Sequence, residues 1–225
     1  MSRNPCTQVA GGLALFSGVG ERRIAAAMRG ARLLRLESGD ALVRRGGALP
    51  GLCALAAGAL KLSLSARPHD ERVLALVAPG ESFGEAAALC AAPAPFDAVA
   101  VTDAEVLTIP VEAIRLLARS DAAFARNLLE RLAREILRLL AGIEAGMLQR
   151  APQRLASYLC SLAGSDGAAA RRVSLPVSKT VVAAMLGVKK ETLSRLLREL
   201  SERRLIAVSR REITILDRAR LEGVR

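Results

Sequence analysis

The chain has 225 residues, long enough for two modest domains. Its formal net charge of +11 implies a polyanionic partner, while five aromatics (Phe16, Phe83, Phe96, Phe124 and Tyr158) are too few for a base-stacking single-strand platform. No uncharged apolar stretch reaches 18 residues, and the N-terminus lacks the basic-then-apolar layout of a signal peptide, so a cytoplasmic location with no membrane partner is expected. Cys6, Cys53, Cys90 and Cys160 are scattered without a C-x-x-C pair, as reduced packing residues would be.

In chain order, residues 1–30 carry a short helical pattern around Glu21 to Met28. Residues 31–110 change character. Short apolar runs (33–36, 42–43, 52–56, 60–64, 73–77, 99–101 and 106–109) are separated by glycines and prolines at roughly ten-residue spacing. That spacing predicts an antiparallel β-barrel or jelly roll, although the alanine content is poor strand material. A short helix is expected over 111–120 and a long one from Asp121.

On the long helix, Leu128, Leu132, Leu139 and Ile143 share a stripe, with Ile136 beside it and Met147 continuing it. The 3-and-4 spacing predicts a homodimer seam, with a core helix as the alternative. Leu129, Leu137 and Leu140 broaden the apolar surface, so that one flank of the helix is expected to pack on the barrel. Residues 150–163 add a helix and residues 164–167 a loop. The expected domains are a sensor barrel with flanking helices (1–120), a dimerisation helix (121–149) and a DNA-binding domain (150–225), an α+β chain overall.

Residues 150–225 hold 16 Lys+Arg against 7 Asp+Glu, net +9, and residues 1–149 only net +2. The basic third contains two short helices hinged at Gly187, with Ser178 as N-cap of the first. Leu193, Leu196, Leu197 and Leu200 form one stripe of the second helix, and Lys190, Glu191, Ser194 and Arg195 lie on another face. Residues 205–208 and 213–216 then form a hairpin tipped by Arg210 and Arg211. Two helices followed by a basic hairpin form a winged helix-turn-helix for double-stranded DNA. Lys189, Lys190, Arg195, Arg198, Arg203 and Arg204 share a helix with no Trp or Phe to insert, which disfavours a membrane surface.

The order of barrel, long helix and helix-turn-helix resembles the cyclic-AMP receptor protein and fumarate–nitrate regulator (CRP/FNR) family of transcription factors over essentially the whole chain. The residues that carry the resemblance are Pro79 to Glu85, like the family's pocket turn, Ala100 to Leu107, like its last barrel strands, and Lys190-Glu191-Thr192-Leu193-Ser194-Arg195, like its recognition helix. The resemblance implies that Glu191 and Arg195 contact bases, with Arg195 on guanine and Glu191 accepting from cytosine N4. Lys179 would hold phosphate. Ser194 matches the E-x-x-S-R branch, which reads TTGAT-like half-sites, whereas Lys190 also matches the cyclic-AMP branch. Val181 departs from the family, which often carries an acidic residue there. RNA polymerase is a further candidate partner.

The resemblance also places an effector pocket at Gly84 and Glu85. Cyclic-AMP members hold the phosphate with an Arg-Ser pair about ten residues later, where this chain has Ala91-Ala92-Pro93-Ala94-Pro95-Phe96, so cyclic AMP is not expected. An iron–sulfur cluster is not expected either, since only Cys6 lies near the N-terminus. Haem stays open through His69, the only histidine, set against a solvated turn residue. Cys53 and Cys90 stay open as thiol sensors, set against buried packing. No metal ligand set and no catalytic constellation is visible, so the chain is not expected to be an enzyme. A cupin-type barrel enzyme with a basic accessory domain is the alternative, and one histidine supplies too few ligands for it. A constitutive DNA binder with no effector is the other.

Overall fold

A computed structural model describes residues 4–65, 71–163 and 171–224. Two compact units emerge, Met1–Arg138 and Leu139–Arg225. The predicted turn at His69 and the predicted loop at residues 164–167 lie outside the described residues.

The first unit begins with helix α1 (Pro5–Gly11), a 3-10 turn at Ala14–Phe16 and α2 (Glu21–Ala27). Eight strands follow: β1 (Arg32–Leu36), β2 (Ala41–Val43), β3 (Leu52–Ala57), β4 (Leu60–Ser65), β5 (Glu71–Val77), β6 (Ser82–Phe83), β7 (Asp97–Ala100) and β8 (Ala104–Ile109). Helix α3 (Glu85–Leu89) interrupts them after β6. Two four-stranded antiparallel sheets result, ordered β1-β8-β3-β6 and β2-β7-β4-β5. Helices α4 (Val111–Ser120) and α5 (Ala122–Leu148) come next, and α5 runs on into the second unit.

Strands β3 and β8 are apolar on both faces because both faces are covered. Cys53, Leu55 and Val106 point between the sheets, where they meet Leu60, Val77, Phe83 and Ala98. Leu52, Ala54, Leu107 and Ile109 point the other way, onto Ile24, Ile114, Phe124 and Leu128 of the helices. Continuous apolar runs follow from such two-sided burial. Alanines serve in the sheets because they sit against close neighbours; Ala54 of β3 and Ala98 of β7 are fully buried. Asp121 caps α5 by accepting from the Phe124 amide (3.0 Å), and it pairs with Arg23 at 2.5 Å.

The second unit contains α6 (Ala151–Ala163), β9 (Arg171–Ser174), α7 (Lys179–Leu186), α8 (Lys190–Glu202), β10 (Ile206–Ser209), β11 (Glu212–Ile215) and α9 (Arg218–Glu222). The expected hairpin β10–β11 gains a third antiparallel strand, β9, in the order β10-β11-β9. Leu155, Leu159, Leu193, Leu200, Ile213 and Leu221 close the core of this unit.

The fold is therefore α+β, with the expected jelly roll, long helix and winged helix-turn-helix. The expected dimer seam needs correction. Leu128 is 6% exposed and packs into the helix-covered core of its own unit, and Leu132 packs partly against the same core. One flank of the helix, Leu128 and Leu132, thus packs within the first unit, whereas Leu129, Leu137 and Leu140 are 68%, 65% and 56% exposed. The exposed apolar stripe is Leu129, Ala133, Ile136, Leu140, Ile143 and Met147, alternately four and three residues apart. Leu139 lies between the two faces and is 43% exposed.

Candidate nucleic-acid interface

The first helix of the motif starts where its sequence says it should. Ser178 is extended (φ −63°, ψ 152°), and its hydroxyl accepts from the Val181 amide at 3.4 Å. Lys179 is the first helical residue and lies half-buried. The helix ends at Gly187, whose φ of 61° and ψ of 40° lie in the left-handed region. Val188 then donates its amide to the Ala183 carbonyl (3.0 Å), turning the chain sharply into α8. Ala183 is buried in this corner, whereas Ala184 is only partly covered. Arg154 of α6 braces the turn by donating to the Leu186 carbonyl (2.9 Å) and the Gln149 carbonyl (2.6 Å). A cation at a helix C-terminus complements the dipole there.

Helix α8 begins at Lys190 with Lys189 in the cap position. Among the described residues no side chain caps it. Leu193, Leu196, Leu197 and Leu200 are all buried, as their spacing requires. The opposite face presents Glu191, Ser194, Arg195 and Arg198, all exposed. On this helix Arg203 pairs with Glu199 at 3.8 Å, while Lys189, Lys190, Arg195 and Arg198 have no ion-pair partner among the described residues. Arg210 and Arg211 form the tip between β10 and β11, where Ser209 faces Glu212. Both are exposed, and Arg210 holds a φ of 54°, an uncommon conformation for a side-chain-bearing residue. All nine predicted interface residues thus belong to one unit: Ser178 and Lys179 at the start of α7, Lys189 to Arg195 on α8, and Arg210 and Arg211 on the wing.

The predicted effector residues sit at the other site. Gly84 has φ 79°, and a Cβ there would lie 3.0 Å from Leu49 Cδ1. Glu85 opens α3 with its side chain buried. Ser82 Oγ donates to its Oε1 at 2.6 Å, and Arg131 Nε of α5 approaches the same oxygen at 3.4 Å. Arg131 also donates to the Ser82 carbonyl (2.7 Å) and pairs with Glu135 (3.3 Å). Glu135 pairs in turn with Arg138, which donates to the Leu74 carbonyl of β5 at 2.8 Å. The hydrogen bonds and charge of Arg138 hold the Glu135 carboxyl below its ordinary range. Burial, reinforced by Glu85, pushes the neighbouring Cys53 thiol up to about 12, which suits a packing residue rather than a reactive one. Cys6 and Cys160 are buried as well, and Cys90 is exposed.

Known proteins show the same two parts. Residues 33–121 match the cyclic nucleotide-binding domain family, and residues 153–224 match the Crp-like helix-turn-helix domain family. The cyclic AMP receptor protein of Thermus thermophilus is 27% identical over 213 residues, covering 95% of this chain and 97% of that protein. A solved structure of a candidate cyclic nucleotide binding protein from Ruegeria pomeroyi is 30% identical and covers 99% of this chain and 98% of its own, with a TM-score of 0.58. A solved transcriptional regulator from Thermus thermophilus shares the fold at a TM-score of 0.65 and 24% identity, over 86% of this chain and all of its own. Fold, helix-turn-helix and relatives together define a DNA-binding transcription regulator. The chain belongs to the CRP/FNR family.

The residues at the barrel turn do not fit the phosphate of a cyclic nucleotide. The Glu85 carboxylate is engaged by Ser82 and Arg131, and Ala91 to Phe96 offer neither cation nor hydroxyl. Among the described residues no group of three His, Cys, Asp or Glu side chains is placed to hold a metal, and His69 lies outside those residues. No described helix is long and apolar enough to cross a membrane. Sequence reasoning missed Arg131, because its partner Glu85 lies 46 positions earlier and only the fold brings them together.

Proposed function

We propose that the protein is a homodimeric, sequence-specific transcription regulator that lays α8 in the DNA major groove. One observation carries this reading: the exposed face of α8 combines unpaired cations with Glu191 and Ser194, while its other face is locked into the core. Arg195 reads guanine, and Glu191 and Ser194 contact neighbouring base edges. Ser178, Lys179, Lys189, Lys190, Arg210 and Arg211 hold phosphates, which fix register without reading sequence. The open seam of α5, from Leu129 to Met147, joins two copies, so that two recognition helices address the halves of a TTGAT-like palindrome. A signal at the barrel other than cyclic AMP biases the dimer between two states.

Selection of bound duplexes from a random pool, followed by footprinting, tests this directly. The expected product is a palindrome with TTGAT-like half-sites whose centres are about 34–36 Å apart. A single asymmetric site, or no sequence enrichment, contradicts it.

A second reading, a constitutive DNA binder, draws support from one feature. The Glu85, Arg131, Glu135 and Arg138 network satisfies the charges of the barrel turn from within the chain. Its signature is an affinity for the selected site that is unchanged by nucleotides, gases or redox state.

A further inference from the structure

The first unit holds a cavity of about 440 Å³ that none of Ser82, Glu85 and Arg131 lines. Its size lies within the ~300–1,000 Å³ range of small-molecule sites. The loop between β2 and β3 contributes Ala48 and Leu49, α3 and its exit contribute Ala88 and Ala92, and α4 contributes Val111. These side chains are short and apolar, so the space suits an apolar body. The wall after α3 is fixed: Ala91 holds a φ of 52°, and the Ala92 amide donates to the Ala87 carbonyl at 2.9 Å.

Two charged residues of α4, Glu112 and Arg115, also line the cavity. Arg115 Nη2 donates to the Leu89 carbonyl at 2.8 Å, which anchors the guanidinium to the end of α3. Nη1 donates to Glu112 Oε1 at 2.8 Å, and Nε has no partner among the described residues. The Glu112 side chain is 76% exposed, against 34% for Arg115. An ion pair with so exposed a partner contributes little, so a ligand carboxylate can replace Glu112 at small cost. It would gain a two-point contact along the Nε and Nη1 edge. An amine would meet the anchored cation, and an uncharged ligand would forgo the charge-assisted bonds.

The cavity also touches the barrel turn. Leu49 lines it and packs against Gly84, where a Cβ would lie 3.0 Å from Leu49 Cδ1. Glu85 follows and pairs with Arg131 of α5. A ligand that presses on Leu49 therefore acts on the turn that holds α5.

We propose that this cavity binds a compact apolar monocarboxylate through Arg115, and that the signal at the barrel enters here. The signalling half rests on the reading of a regulator controlled at its barrel; the binding half does not.

Straight-chain carboxylates from butanoate to decanoate, titrated calorimetrically into the intact protein, are the probe. Affinity is expected to rise about fourfold per methylene until the cavity is full, and then to level off. The matching alkylamines and primary amides should bind about tenfold more weakly or worse. Arg115→Gln should weaken carboxylate binding about tenfold or more, and Glu112→Gln should strengthen it about two- to fivefold, a gain that misfolding cannot produce. Ala88→Leu should shorten the longest chain accommodated, with melting curves confirming that each variant folds. No binding across the series, or binding that ignores both Arg115→Gln and Glu112→Gln, overturns the site. Saturating octanoate should shift the parent's affinity for the selected palindrome, and Arg115→Gln should abolish the shift. Octanoate that binds as expected but leaves that affinity unchanged overturns the signalling half. If the parent shows no selective duplex binding at all, the DNA reading fails, and the carboxylate titration still decides the cavity.

Discussion

The barrel turn at Glu85 and the exposed face of α8 are built from the same residue types and use them in opposite ways. At the turn, Ser82, Glu85, Arg131, Glu135 and Arg138 close on one another and on backbone carbonyls. On α8, Lys190, Arg195 and Arg198 have no partner among the described residues. Charges satisfied within the chain act on stability, whereas charges left open act on an external polyanion. Helix α5 repeats the contrast along its length: Phe124 and Leu128 are buried in their own unit, and Ile136 to Met147 are open.

Breaking the buried half of α5 has the largest expected effect. Leu128→Ala should cost about 2–5 kcal/mol of protomer stability, read by chemical denaturation. Ile136→Asp with Leu140→Asp should leave protomer stability nearly unchanged and convert dimer to monomer in analytical ultracentrifugation. If instead Leu128→Ala dissociates a stable protomer, the corrected seam is wrong.

The charged half of the comparison is sharpened by one pair of variants. Arg131→Ala leaves the buried Glu85 carboxylate with Ser82 alone and should cost about 1–3 kcal/mol in thermal unfolding. Arg195→Ala should move thermal stability by no more than about 0.5 kcal/mol, as expected of an unpaired surface residue.

Legibility followed the range of the interactions. The cap at Ser178, the left-handed Gly187 and the buried leucines of α8 depend on neighbours within one or two turns, and all were readable. Strand β6 has only two residues, and β9 pairs with β11 across some forty residues, so neither left a local pattern. Leu128 and Leu132 were read onto the open stripe of α5 because Leu128, Leu129, Leu132, Leu137, Leu139 and Leu140 surround the helix. Periodicity alone could not choose the face that Phe124 and the barrel helices cover. The Glu85–Arg131 pair needed the tertiary fold itself.

A pH series tests the internally satisfied charges further. The Asp121 carboxyl is held below its ordinary 3.8, first by the Phe124 amide and then by Arg23. A depressed folded value means its contribution is complete above 3.8 and is lost as pH falls through that lower value. Glu135, also depressed, behaves alike below its ordinary 4.5. The melting temperature of Asp121→Ala should therefore lie furthest below the parent near pH 7, and the gap should narrow under strongly acid conditions. A gap that widens on acidification contradicts the assignment.

One expected effect is a gain. Arg204 follows α8 with φ 55°, a position where glycine is unstrained. Arg204→Gly should stabilise the DNA-binding unit by about 1 kcal/mol, raising its melting temperature by roughly 4–8 °C. An unchanged or lower melting temperature removes strain at this residue from the account.

The central claim, that α8 reads bases through Arg195, is tested most directly by competitive binding of parent and Arg195→Ala proteins to the TTGAT-like palindrome and to a scrambled duplex at fixed salt. The expected result is a loss of about 1–3 kcal/mol of discrimination between the two duplexes, with residual salt-dependent binding to both. Discrimination that survives Arg195→Ala undiminished would contradict it.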